Sequence, residues 1–196
     1  MKFEQIKKIL QTKTIGIAGC GGLGSNCAIA LARVGVGKLI IADFDVVEKS
    51  NLNRQYYFFE QIGKKKVISL KNNIKKINPE VNIRAYDIKL NPKNLIKIFS
   101  SCDIIVEAFD LAEMKQMIIE TVLSEMPGKP IISGLGVAGW GDNNSIKTRQ
   151  VGDLYISGDE KTETSENMPP MAPKVGIIAN MQANLALEIL LSRRKK

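Results

Sequence analysis

The run Gly19-Cys20-Gly21-Gly22-Leu23-Gly24 stands directly after the apolar pentad Thr14–Ala18 and opens a helical pattern over Leu23–Val34. Strand, glycine turn and helix in that order form the first half of a βαβ unit, which commits the chain to a parallel sheet. Glycine at these points permits the tight turn, and the helix N-terminus presents free N–H groups and a positive dipole end to a phosphate. Gly19, Gly21, Gly22 and Gly24 are therefore candidate nucleotide-binding positions. An acidic residue that grips ribose hydroxyls is expected about 20 residues further on, at the end of the second strand. Asp43 occupies that place. A nicotinamide-dependent dehydrogenase would satisfy these features equally well.

The rest of the chain continues the alternation. Strands are predicted at Thr14–Ala18, Lys38–Ala42, Val81–Tyr86, Asp103–Ala108 and Lys129–Ser133, with helices at Leu23–Val34, Lys64–Ile77, Pro92–Ser100 and Ala112–Met126 between them. This pattern implies an α/β fold: a doubly wound, mainly parallel Rossmann-like sheet with helices on both faces. After Gly134 a glycine-rich bend and an alternating segment suggest an antiparallel extension. The polar, acidic stretch Ser157–Pro173 follows, longer than an ordinary connection, and then a terminal helix over Val175–Leu191. Residues 1–196 are read as one domain, with 157–173 a flexible crossover-type loop. Trp140, the only tryptophan, is expected as a core or edge anchor.

Composition removes several chemistries. There is no histidine, which excludes histidine triads, histidine bases and histidine-ligated zinc. Cys20, Cys27 and Cys102 form no CxxC pair, so zinc is not expected, and all three read as packing residues in a reducing, cytoplasmic setting. No signal peptide is evident, and no unbroken apolar run approaches the roughly 20 residues of a membrane helix. The net charge is +8, and residues 64–97 alone sum to +8, while residues 98–191 sum to −7 and the tail Arg193, Arg194, Lys195, Lys196 to +4. Such an excess suggests an anionic partner.

The segment from Asp43 to Gln55, DFDVVEKSNLNRQ, holds too many donors and acceptors for a plain connection. A triphosphate carries more charge than the single pyrophosphate of a dinucleotide and calls for cationic side chains and a metal. Arg54 and Lys66 can supply the cations, and Asp110, just beyond the strand DIIVEA, can bind Mg²⁺ through oxygen. Asp45 is read as a loop cap, and Lys64 and Lys65 as solvated.

Here the chain resembles the E1-like (ThiF/MoeB/HesA) adenylyltransferase superfamily, and within it the short ThiF-type activators of sulfur-carrier proteins in thiamine biosynthesis. The matching stretches are GCGGLGSN, GVGKLIIADFD, SNLNRQYYF, GKKKV, INPEV, DIIVEAFD and PKVGIIAN. The resemblance implies ribose binding by Asp43, nucleotide phosphate contacts from Asn51, Arg54 and Lys66 with Gln55 beside them, and metal binding by Asp110. It implies catalytic roles for Arg54, Lys66 and Asp110, with ATP and Mg²⁺ as cofactors. The partner would be a small ubiquitin-like sulfur-carrier protein ending in Gly-Gly, whose C-terminal carboxylate attacks the α-phosphorus of ATP. A homodimer is implied, with no membrane or nucleic-acid partner. Ser157–Pro173 would arch over the carrier tail. The chain departs from larger members in lacking both zinc pairs and any cysteine after Cys102, so no covalent enzyme-carrier nucleophile is expected. Only 13 residues precede the first strand, and none is an arginine that could complete a partner's site. The alternatives are an E1-like tRNA-modifying enzyme of the threonylcarbamoyl-adenosine dehydratase kind and a non-catalytic nucleotide-binding module.

Overall fold

The structure, a computed structural model, describes residues 1–192; the basic tail Arg193, Arg194, Lys195 and Lys196 lies outside them. Seven strands form one sheet: β1 (Thr14–Ala18), β2 (Lys38–Asp43), β3 (Asn82–Asp87), β4 (Ile104–Glu107), β5 (Ile131–Leu135), β6 (Lys147–Val151) and β7 (Leu154–Gly158). Their order is β3-β2-β1-β4-β5-β7-β6. All neighbours run parallel except β6 and β7, which form an antiparallel pair. The α/β Rossmann-like class read from the sequence holds, antiparallel extension included.

Burial explains the strand compositions. In β1, β2 and β4 nearly every residue is buried, because interior parallel strands are covered on both faces and so read as continuous apolar runs. The edge strand β3 is buried only at Ile83, and all five residues of the other edge, β6, are exposed. Helices α2 (Gly22–Arg33), α3 (Lys66–Ile77) and α6 (Ala172–Ser192) cover one face and share a core with Leu10 of α1 (Phe3–Leu10). Helices α4 (Pro92–Phe99) and α5 (Ala112–Glu125) cover the other, around Phe99, Ile118 and Val122.

Some sequence expectations need correction. The fifth strand begins at Ile131 rather than Lys129, since Pro130 has no N–H to give the ladder, and it runs on through Gly134 to Leu135. Helix α3 starts at Lys66, not Lys64, because Lys64 pairs back to Val47 through the backbone. Trp140 is 71% exposed on the segment after β5 and anchors no core. By length and composition α6 is apolar enough to cross a membrane, although no unbroken apolar run announces it. Its buried face, including Ile178, Ala183 and Ile189, packs within the α2 side of the core.

Candidate functional site

The strand order reverses between β1 and β4, and ligands of open α/β sheets bind at the carboxyl ends of strands at such a switch point. The glycine loop lies there. Gly19 adopts φ +96°, and a Cβ on it would stand 2.7 Å from the Ala108 carbonyl oxygen and 3.3 Å from the Phe109 ring, so the loops after β1 and β4 touch. At Gly24 a Cβ would fall 1.9 Å from the Gly19 carbonyl oxygen, which fixes how closely α2 meets the loop. Gly21 is different. The nearest atom to its Cβ position is Gln55 Nε2 at 3.8 Å, and as the residue before α2 Gly21 gives the helix no side-chain cap. The uncapped amides are what an anion needs.

Asp43 closes the loop from the side. Its Oδ2 accepts the Cys20 N–H at 2.6 Å and its Oδ1 the Asp45 N–H at 2.8 Å. Each carboxylate oxygen keeps a second lone pair for a ribose hydroxyl. Burial pushes the Asp43 carboxyl up from its ordinary pKa, against the two amide hydrogen bonds and the charge of Lys66. Burial likewise drives the Cys20 thiol well up, and Cys27 and Cys102 to about 12, so all three cysteines are inert packing groups.

The β2–α3 connection places the polar residues of SNLNRQ. The Asn51 side chain accepts from the Glu48 N–H, and its carbonyl accepts from the amides of Arg54 and Gln55. Asn51 thus sets the turn that carries both. Asn26 on α2 ties this turn to the glycine loop, donating to the carbonyls of Gly22 (2.7 Å) and Arg54 (2.9 Å). The Arg54 side chain lies against Gly22, and its guanidinium donates only to Asn53 Oδ1 and the Ser50 carbonyl, with no carboxylate partner among the described residues. Gln55 is buried, and its Oε1 has no hydrogen-bond partner.

Lys66 is buried at the start of α3, with its Nζ 2.8 Å from Asp45 Oδ2. Tyr57 donates to the Cys20 carbonyl at 2.7 Å and reaches the Lys66 carbonyl at 3.5 Å, joining the two segments from below. Lys65 pairs with Asp87 and the Phe44 carbonyl. Asp110 is exposed just past Phe109, with no hydrogen-bond partner among the described residues.

All the candidate residues thus gather at the carboxyl ends of β1, β2 and β4. Asp45 was underread, since an Asp-x-Asp spacing across a loop does not reveal that the second carboxylate meets a lysine 21 residues on. A second charged cluster was missed altogether. The stretch after β7 is closed at its base by a buried pair, Lys174 Nζ donating to Asp159 Oδ2 at 2.7 Å and to the Ala138 carbonyl at 2.8 Å. Burial opposes Asp159 ionisation, but Lys174 and the donors of Thr162 and Lys161 outweigh it and hold the carboxyl below the usual range. Further along, Gly139 donates to the Pro169 carbonyl, so the stretch lies against the segment after β5.

With this geometry in place, the comparison with known proteins is decisive: the ThiF family model matches residues 1–196. The chain belongs to the ThiF family. This ThiF-family chain is 32% identical over 185 residues to adenylyltransferase and sulfurtransferase MOCS3 of Xenopus laevis, covering 92% of itself and 40% of that protein. It is 33% identical over 129 residues to the probable adenylyltransferase/sulfurtransferase MoeZ of Mycobacterium tuberculosis, covering 65% and 32%. It spans less than half the length of these curated relatives. Among solved structures it overlays on E. coli tRNA N6-threonylcarbamoyladenosine dehydratase TcdA in complex with ATP with TM-score 0.88 at 19% identity, covering 98% of this chain and 92% of that one. It overlays on E. coli MccB with ATP with TM-score 0.72 at 24% identity, covering 94% and 57%. At these identities the overlays establish the shared fold.

Proposed function

We propose that this chain uses ATP to adenylylate the C-terminal carboxylate of a small ubiquitin-like sulfur-carrier protein ending in Gly-Gly, releasing pyrophosphate. The observation that carries this reading is the convergence of three groups with spare binding capacity on one point. The uncapped start of α2, the stem of Arg54, which has no carboxylate partner among the described residues, and the amide of buried Gln55, whose Oε1 has no hydrogen-bond partner among them, all border Gly21–Gly22. Open space beside Gly21 and buried polar capacity are what a nucleotide would fill. Asp110, an exposed carboxylate, is the residue that would hold a magnesium ion through oxygen. When bound there, the ion would neutralise charge on the phosphates.

The remaining work falls to side chains. A C-terminal carboxylate has an unperturbed pKa of about 3.5, is ionised at neutral pH and needs no general base, in keeping with a site that contains no histidine. Asp43 holds the ribose and the loop together. Arg54 and Lys66 bring positive charge to the phosphates, where preorganised contacts stabilise the departing pyrophosphate. The stretch after β7, pinned by Lys174 and Gly139, would lie over the carrier tail. The sulfur carrier of thiamine biosynthesis is the proposed instance, and the acting unit a homodimer.

The overlay on nearly the full length of TcdA supports tRNA as a second substrate class to test. Exchange of labelled pyrophosphate into ATP separates the readings. Exchange that requires a Gly-Gly-ending carrier supports the proposal; exchange that requires tRNA selects the second reading; ATP binding without exchange under either condition rejects both.

A further inference from the structure

Strand β4 ends in a carboxylate that the reaction as described does not use. Glu107 follows Ile104, Ile105 and Val106 and is fully buried. Burying a charge is costly unless it is paired and hydrogen-bonded, and an apolar residue would continue this strand at no such cost. Glu107 is instead saturated. Its Oε1 accepts the Phe109 N–H at 2.7 Å and Lys115 Nζ at 3.1 Å, and its Oε2 accepts Lys115 Nζ at 2.9 Å and Ser133 Oγ at 2.5 Å. Lys115, on α5, also donates to the Gly134 carbonyl at 2.8 Å. The Glu107 carbonyl accepts from Gln182 of α6 at 3.0 Å. One side chain therefore joins the ends of β4 and β5, helix α5 and the turn that leads to Asp110.

We infer that Glu107, held by Lys115, is a positioning residue that aims Asp110 by capturing the Phe109 amide. Asp110 has no partner of its own among the described residues, so its direction is inherited from the backbone one residue before it. The same turn sets the Phe109 ring against the glycine loop at Gly19. Losing the acceptor on the Phe109 amide therefore releases the turn between the metal end of the site and the phosphate loop. This inference rests on the nucleotide reading above and adds to it the means by which a solitary exposed carboxylate is held in place.

The test uses paired substitutions, because removing one charge alone strands its partner. Glu107→Gln/Lys115→Met keeps an oxygen for the Phe109 amide, and Glu107→Leu/Lys115→Met does not. Two readouts need no turnover: hydrogen exchange at the Phe109 amide in the ligand-free protein, and the gain in ATP affinity on adding Mg²⁺, measured by calorimetry against AMP as control. The leucine pair is expected to lose Phe109 protection and about 10–100-fold of the magnesium-dependent gain, the usual range for groups that orient a metal ligand. AMP affinity should be unchanged, and the glutamine pair should restore both losses. A folded leucine pair with a protected Phe109 amide and the full gain overturns the inference. So does an unprotected Phe109 amide in the unsubstituted protein, which keeps the test decisive if the leucine pair does not fold. Absence of any magnesium-dependent gain in the unsubstituted protein, with Phe109 protected, counts instead against the nucleotide reading.

Discussion

Lys66 Nζ lies 2.8 Å from Asp45 Oδ2, and the two side chains differ sharply in surroundings: the lysine is 8% exposed and the carboxylate 47%. The ammonium is held from its solvent side, poised where β2, the glycine loop and α3 meet. Asp45 therefore directs Lys66, and among the described residues its carboxylate makes no hydrogen bond that would cap the loop. Replacing Asp45 by alanine strands a buried ammonium that water reaches only from the Asp45 side, and is expected to cost stability about 2–3 kcal/mol. It should lower pyrophosphate exchange about tenfold or more as Lys66 loses its direction. Thermal denaturation run beside the exchange assay checks both; unchanged exchange would leave Asp45 with no part in directing Lys66 for the reaction.

The side chains of Arg54 and Asp110 make no ion pair among the described residues, and the side-chain hydrogen bonds of Arg54 stay within its own exposed turn. Arg54→Ala and Asp110→Ala should each leave the melting temperature near that of the parent, while reducing exchange on the order of 10²–10³-fold. Near-parental exchange in both variants would remove the mechanism.

Two glycines in one loop should respond in opposite ways. Alanine at Gly24 drives a Cβ into the Gly19 carbonyl, so folding itself should suffer, by about 3 kcal/mol. At Gly21 the added methyl meets nothing closer than 3.8 Å and intrudes only on the space assigned to phosphate. Gly21→Ala is expected to keep its melting temperature and lose ATP affinity. Denaturation paired with calorimetry distinguishes the two, and intact ATP affinity in Gly21→Ala would place the phosphates elsewhere.

The Asp159–Lys174 pair makes a statement about pH. The folded carboxyl titrates below its unfolded value of about 3.9, so its stabilisation is complete above that value and is lost as pH falls below it. Substituting both partners, Asp159→Asn/Lys174→Met, should flatten the fall of melting temperature between about pH 5 and pH 2. Lys174→Met alone strands a buried carboxylate and should cost about 3–5 kcal/mol at neutral pH. An unchanged acid limb in the double variant would show that the pair contributes nothing.

Protease cleavage within residues 159–171 offers a check on the carrier. If this stretch covers the carrier tail, carrier with ATP should slow cleavage more than ATP alone. Equal rates would argue that the tail lies elsewhere.

What could be read without coordinates was what the backbone itself demands. Gly19 and Gly24 answer local steric requirements, and Asp43 sits at a distance set by one βαβ unit, so these positions are visible from spacing. The buried runs of β1, β2 and β4 announce interior strands in the same way. The pairings of Asp45 with Lys66, Glu107 with Lys115 and Asp159 with Lys174 are not visible, because each depends on how a loop or crossover closes in space. The place of β7 between β5 and β6 was equally hidden: a hairpin pattern says that two strands pair, and not which of them meets the sheet.

The helix whose amides are proposed to take phosphate is not finished by its own neighbourhood. Leu23, Cys27 and Ala28 of α2 belong to the same core as Val175, Ile178 and Ala179 of α6, and a Cβ on Gly22 would touch Val175 at 3.0 Å. Residues far apart in the sequence complete one wall. During synthesis, then, the loop emerges well before α6 and lacks this support until α6 has left the ribosome. If the nucleotide sits at this loop as proposed, its affinity would depend on α6, and a product lacking α6 would not sequester ATP.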